Sequence, residues 1–93
     1  MFSVVIVNYN GGAYVQAALD SLFGQTRRDF EVLLVDNAST DGSADDLNVS
    51  DLPAFTLLAE TENHGYARGT NLGALRAKGK WLVCLNPDAV ADP

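Results

Sequence analysis

With a single cysteine, Cys84, among 93 residues, the chain can build neither an internal disulfide framework nor a cysteine metal cluster. A single histidine, His64, removes a histidine zinc site as well, and no spacing suggests a serine-histidine-aspartate nucleophile; His64 reads as a loop residue. Cations are scarce: six Lys and Arg stand against twelve Asp and Glu, for a net charge of −6. Broad electrostatic binding to nucleic acid or anionic lipid needs a positive field and is excluded, so a phosphate-bearing ligand would need local help. The segment Met1 to Val7 lacks the basic start and long apolar region of a signal peptide. No run approaches the roughly 20 apolar residues of a membrane span. No membrane contact is therefore expected from this segment, and the expected setting is the cytosol.

What remains is a globular composition, 47% hydrophobic and 19% charged, well away from the signature of disorder. At this length residues 1–93 form one domain at most, burying roughly 60 to 65 per cent of the unfolded surface.

Residues 2 to 7 are an apolar, β-branched run stopping at Asn8-Tyr9-Asn10-Gly11-Gly12, which predicts a buried strand ending in a tight turn. From Ala13 to Phe23 apolar positions recur at three- and four-residue spacings, giving an amphipathic helix closed by Gly24. Phe30 to Val35 is a second buried strand, followed by the turn formers and caps of residues 36–43 and a short helix near Ala44 to Leu47. Phe55 to Ala59 is a third strand, Tyr66 to Lys78 a helix despite Gly69 and Gly73, and Trp81 to Leu85 a fourth strand. Strands alternating with helices over short connections predict a Rossmann-like α/β fold with a mostly parallel sheet of order 3-2-1-4. In such sheets a ligand binds beyond the carboxyl ends of the strands, at the crevice where the winding reverses, here between the first and fourth strands.

Four segments carry chemistry at those ends. Asn8 and Asn10 offer amides and Tyr9 a flat face for a heterocycle, or together they form an ordinary solvated turn. Asp36 ends the second strand, where a carboxylate takes a hydrogen bond from a ribose or base, or caps the next turn. Asp41 and Ser43 read as caps. In Asn63 to Gly73 a loop enters a helix whose amino end suits phosphate oxygens; Gly65 allows close backbone approach, and Arg68 is either a surface cation or an anion contact. Finally, Asn86-Pro87-Asp88 is an oxygen-rich turn that either binds one divalent cation or is a plain Asn-Pro turn.

Together Val4 to Asn10, Glu31 to Gly42 and Trp81 to Asp88 resemble the opening of the family 2 glycosyltransferases, and the likeness spans the whole chain. The resemblance implies a nucleotide-diphospho-sugar transferase fold, truncated here, with residues 1–93 as the nucleotide-sugar-binding part of a longer domain. It implies Tyr9 against the base, Asp36 on the imide or ribose, and Asn8 and Asn10 shaping the pocket. Gly65, Arg68 and Asn71 would complete donor binding, and Asp88 would hold Mg²⁺ or Mn²⁺. The family usually has Asp-x-Asp where this chain has Asn86-Pro87-Asp88, so Asn86 brings a neutral amide to the metal. An Ala-Arg-Asn tripeptide usual in the family would end at Asn71, but Thr70 takes the arginine place, and Arg68 would stand in from nearby. Asn63 to Gly69 together with Asn-Pro-Asp is similar to the rhamnosyltransferase-like branch, implying dTDP-rhamnose or a UDP-sugar as donor and a glycan or lipid-linked acceptor. The implied activity is an inverting, metal-assisted glycosyl transfer serving bacterial polysaccharide synthesis, with the longer protein peripheral to the inner face of the membrane. The family carries its catalytic base after the metal motif, hence beyond Pro93.

Two alternatives compete. A sugar-nucleotide nucleotidyltransferase would need a cation beside its glycine-rich loop, which Gly11-Gly12 lacks. A non-catalytic α/β module would use Asp36 and Asp88 for structure or regulation. A truncated sheet also leaves an open edge, which favours a homo-oligomer over a free monomer.

Overall fold

The computed structural model describes residues 2–23, 28–45, 47–50, 52–63 and 65–85. Six elements follow in order: β1 (Phe2–Asn8), α1 (Tyr14–Phe23), β2 (Phe30–Asp36), β3 (Phe55–Ala59), α2 (Tyr66–Arg76) and β4 (Trp81–Leu85). The strands form one sheet of order β3-β2-β1-β4, and every neighbouring pair is parallel. This is the expected Rossmann-like arrangement.

β1 and β2 are central and buried on both faces, which is why they read as continuous apolar runs rather than alternating ones. Successive side chains still point to opposite faces. Val4, Ile6, Val32 and Leu34 pack with Val15, Ala18, Leu19 and Leu22 of α1. Val5, Val7, Leu33 and Val35 form a second cluster on the other face. There α2 comes unusually close: a Cβ on Gly73 would stand 2.5 Å from a Val5 methyl, and one on Gly69 would stand 2.7 Å from a Val7 methyl. Both glycines cost helix propensity, and both are needed to let the helix backbone approach the sheet.

The outer strands are less covered. Trp81, at 60% exposure, Leu82 and Val83 lie open on β4, as does Leu57 on β3, and Cys84 is a free, exposed thiol. None of the described helices is long and apolar enough to cross a membrane.

The structure corrects two expected elements. Around the short helix expected at Ala44 to Leu47, the described residues form a turn, with the Asp45 amide donating to the Gly42 carbonyl at 2.9 Å. The Asn48 amide, which a helix would direct to the Ala44 carbonyl, is taken by Gln16 Oε1, and the Ser43 amide is taken by Asp41 Oδ1. The helix expected to reach Lys78 ends at Arg76, and Ala77 is extended. Its continuation is diverted because the amides of Lys78 and Gly79 donate to Glu31 Oε2, at 2.5 and 3.1 Å. Ser3 Oγ joins them, donating to the same oxygen at 2.6 Å and accepting from the Gly79 amide at 2.7 Å. Burial raises the Glu31 pKa, but the Ser3 hydroxyl, the Lys78 and Gly79 amides and the Lys78 charge outweigh it and hold the carboxyl below the ordinary glutamate value. This buried carboxylate pins the α2–β4 connection at the amino end of the sheet.

Candidate functional site at the carboxyl end of the sheet

Asn8 and Asp36 are register partners, each the last residue of its strand, so the parallel ladder delivers an amide and a carboxylate side by side. Asn8 Nδ2 donates to Asp36 Oδ1 at 2.9 Å, to Ser43 Oγ at 2.8 Å and to Ser39 Oγ at 3.1 Å. Asn8 Oδ1 accepts from the Gly11 amide at 3.0 Å. That approach is feasible because Gly11 has no side chain, since a Cβ there would lie 2.4 Å from the same oxygen. Asn8 is 0% exposed and its amide is fully used within the protein. It shapes the site from beneath rather than presenting a free group to a ligand.

Asn10 does the same at the surface. It adopts a left-handed conformation (φ 52°), a region asparagine tolerates. Its Oδ1 accepts from the amides of Thr40 and Asp41 at 2.8 and 3.2 Å, while its own amide donates to Ser39 Oγ at 3.0 Å. The β1–α1 loop and the loop after β2 are thereby zipped together. Asp41 contributes as the cap it was expected to be, accepting from the Gly12 and Ser43 amides at 3.1 and 2.9 Å. The hydroxyl and amide of Ser43 hold the Asp41 carboxyl below the ordinary aspartate value against the opposing effect of burial, and the Gly12 amide adds to them. Ala38 also has a left-handed backbone (φ 60°), which for alanine stores strain of roughly 1 to 2 kcal/mol beside the carboxylate.

Asp36 Oδ1 is saturated by Asn8 and by Ser39 Oγ at 2.6 Å, whereas among the described residues Oδ2 accepts only the Ser39 amide, at 3.3 Å. A carboxylate oxygen with one long bond retains acceptor capacity for a hydroxyl or imide N–H. Tyr9, between Asn8 and Asn10, is 51% exposed and leaves a ring free for stacking.

The second part of the site is the start of α2. Gly65 precedes the helix at φ +81°, no side chain of the described residues caps the first turn, and no acid lies in it. Asn37, missed by the sequence reading, joins the two parts: its amide N–H donates to the Asn8 carbonyl at 2.8 Å, and its Nδ2 donates to the Gly65 carbonyl at 3.2 Å. Arg68 and Asn71 are not drawn into the loop network. They line a hollow of about 500 Å³ on α2 with Ala67, Leu72 and Leu75, and neither side chain bonds another described residue. Ser39 was also missed. The signal for both was the register itself, because pairing Asn8 with Asp36 makes their neighbours converge.

Among the described residues no three His, Cys, Asp or Glu side chains gather as a metal site. The two expected metal ligands, Asn86 and Asp88, lie outside the described residues. Leu85, the last residue of β4, is the register partner of Ile6, so β4 ends at the same edge of the sheet as Asn8 and Asp36. His64 likewise lies outside the described residues.

Residues 3–93 match the family described as Glycosyl transferase family 2. An uncharacterized glycosyltransferase of Haemophilus influenzae is 39% identical over 88 residues, covering 95% of this chain and 29% of that protein. A PGL/p-HBAD biosynthesis glycosyltransferase of Mycobacterium bovis is 37% identical over 90 residues, covering 95% of this chain and 35% of that one. Among solved structures, the mannosyltransferase PcManGT of Pyrobaculum calidifontis, in complex with GDP-Man and Mn²⁺, superposes with a TM-score of 0.84 at 35% identity, covering 96% of this chain and 28% of its own. S. aureus TarS 1-349 in complex with UDP-GlcNAc gives a TM-score of 0.89 at 26% identity, covering 98% of this chain and 27% of its own. The chain thus spans about a third of the length of these relatives.

Proposed function

The chain belongs to glycosyl transferase family 2, and from that premise we propose that it is the donor-binding part of an inverting, metal-assisted glycosyltransferase. The observation that carries this reading is the Asn8–Asp36 pair at the carboxyl end of a parallel sheet, with one oxygen of Asp36 still able to accept and the exposed Tyr9 following Asn8 in the chain. Such an edge is where doubly wound sheets bind nucleotides. Asp36 takes the imide or ribose, Tyr9 stacks on the base, and Asn8 and Asn10 hold both in place. The uncapped amino end of α2, with Arg68 and Asn71 on that helix, receives the diphosphate. Two solved relatives carry a nucleotide sugar, one of them with Mn²⁺.

For this chain the donor is a thymidine or uridine diphosphate sugar, dTDP-rhamnose among them. The acceptor is a glycan or lipid-linked hydroxyl, the product belongs to polysaccharide synthesis, and the longer protein works in the cytoplasm or against the inner face of the membrane. Asp88, with Asn86 beside it, would hold Mg²⁺ or Mn²⁺, since oxygen donors suit hard cations, and the ion would offset charge on the departing diphosphate. In the transfer the acceptor oxygen bonds to the anomeric carbon from the face opposite the diphosphate, whose bond to that carbon breaks. A carboxylate beyond Pro93 takes the hydroxyl proton. Residues 1–93 alone bind donor without turning it over.

The nucleotidyltransferase alternative loses ground on one point. The Gly11 and Gly12 amides that would cradle a triphosphate are already given to Asn8 and Asp41. Calorimetric titration of the full-length protein with UDP, dTDP and GDP, with and without Mn²⁺ or Mg²⁺, tests the proposal. Binding of a pyrimidine diphosphate strengthened by metal is expected; absence of binding to every nucleoside diphosphate would overturn it.

A further inference from the structure

We propose that Asn37 is the positioning residue that couples the base-binding end of the site to the phosphate-binding turn of α2, a role that rests on the nucleotide-sugar reading above. Its backbone continues β2 and is fixed to β1 through the Asn8 carbonyl at 2.8 Å. Its side chain crosses to the other part of the site, donating from Nδ2 to the Gly65 carbonyl at 3.2 Å. That carbonyl also accepts the Gly69 amide at 3.0 Å, the first hydrogen bond of α2. Whatever holds Gly65 therefore sets where the first turn of the helix points.

Among the described residues little else is available to hold it. No side chain caps α2; the Gly65 amide is engaged only locally, by Asn63 Oδ1 two residues earlier, at 2.8 Å. Gly69 packs directly on the same amide, with a built Cβ standing 3.0 Å from Asn37 Nδ2. One carboxamide thus fixes the first turn at both its start and its inner face.

The other end of that carboxamide supplies the second observation. Asn37 is 1% exposed, and its Oδ1 is buried with no hydrogen-bond partner among the described residues. Burying an acceptor unpaired is unfavourable, and an apolar side chain of similar size would avoid it. Proteins keep such exceptions mainly at functional or strained positions. The gain here is geometric. Asn37 ties the first turn of α2 to the end of β2, and so to Asp36 beside it in the chain.

The test compares binding of UDP with uridine, and dTDP with thymidine, to the full-length protein and its Asn37→Ala and Asn37→Asp variants in the presence of Mg²⁺. The nucleosides use the Tyr9–Asp36 end alone, so their affinity reports that the variants are folded. Asn37→Ala should weaken the diphosphate about tenfold, the scale of one lost positioning hydrogen bond, with the nucleoside within about twofold of wild type. Asn37→Asp keeps the shape and sets a carboxylate against the Gly65 carbonyl, so it should weaken the diphosphate at least as much. Equal losses for nucleoside and diphosphate, or no loss for either, would overturn the role of Asn37 while leaving the nucleotide reading intact. Wild-type protein that binds neither ligand would remove the nucleotide reading itself, and this inference with it.

Discussion

Asn8 Nδ2 lies 2.9 Å from Asp36 Oδ1, joining the last residues of two parallel strands that are 28 positions apart in the chain. Around this bond the Ser39 and Ser43 hydroxyls and the Gly11 amide complete a closed polar cluster above an apolar core. Because every member is paired, the cluster adds rigidity where a half-satisfied one would be a liability.

Removing its centre should therefore be costly. Asn8→Ala deletes the donor shared by Asp36, Ser39 and Ser43 and the acceptor of Gly11, and should destabilise the protein by about 2 to 3 kcal/mol. Urea denaturation measures this. A loss below about 0.5 kcal/mol, the size of an ordinary surface substitution, would mean that the network does not hold the site.

Asp36 and Asp88 should separate by metal dependence. Asp36→Ala should weaken nucleotide binding by about tenfold or more with and without Mg²⁺, because it removes a hydrogen-bond acceptor for the nucleoside. Asp88→Ala should weaken only the metal-dependent part. Calorimetry that shows the same metal dependence in the Asp88 variant as in wild type would remove Asp88 from the metal site.

The glycines of α2 reverse a familiar rule. By helix propensity Gly73→Ala should stabilise by about 1 kcal/mol, but the new methyl meets Val5 at 2.5 Å. Overpacking of a filled core costs typically 1 to 3 kcal/mol, so the net effect should be a loss. The double variant Gly73→Ala with Val5→Ala should recover part of it. Thermal melts showing a rise in Tm for the single variant would contradict the close approach of α2 to β1.

Glu31 should make stability pH-dependent at the acid end. Its folded-state pKa lies below the ordinary glutamate value. The unfolded chain therefore binds the proton more readily, and the stabilisation is fully present above that ordinary value and lost as pH falls through the folded one. Glu31→Gln should abolish this contribution and lower stability by about 1 to 3 kcal/mol at neutral pH, since the amides of Lys78 and Gly79 and the Ser3 hydroxyl lose a charged acceptor. Denaturation midpoints from neutral to acid pH in wild type and variant decide it. Parallel curves would show that Glu31 is not the responsible group.

Much of the fold was legible because it follows from local pattern. Apolar runs of five to seven residues between turn formers locate all four strands, and their alternation with helices over short connections fixes a parallel sheet and its order. The site was legible in part. Asn8, Asp36 and Gly65 stand at element ends, where turn residues interrupt the pattern, and the resemblance to a known family joined them. Asn37 and Ser39 were not readable, because a polar residue beside a turn looks alike whether it is solvated or buried in a network. The expected helix after Ser43 and the longer α2 failed for a related reason: side chains distant in sequence, Gln16 in one case and Glu31 in the other, took the amides that helix continuation would have used.

The sequence by itself determined the strands, the class of fold and the carboxyl-end edge where a ligand would bind, since these follow from periodicity and from the handedness of parallel crossovers. Only the tertiary structure decided how the polar residues divide their work. Hydrogen bonds between residues 28 or more positions apart depend on strand register and on the approach of α2, and neither is encoded in local spacing. That register places Asn8 beneath the site with its amide fully used, leaves one oxygen of Asp36 able to accept, and makes Asn37 the link to the helix that follows.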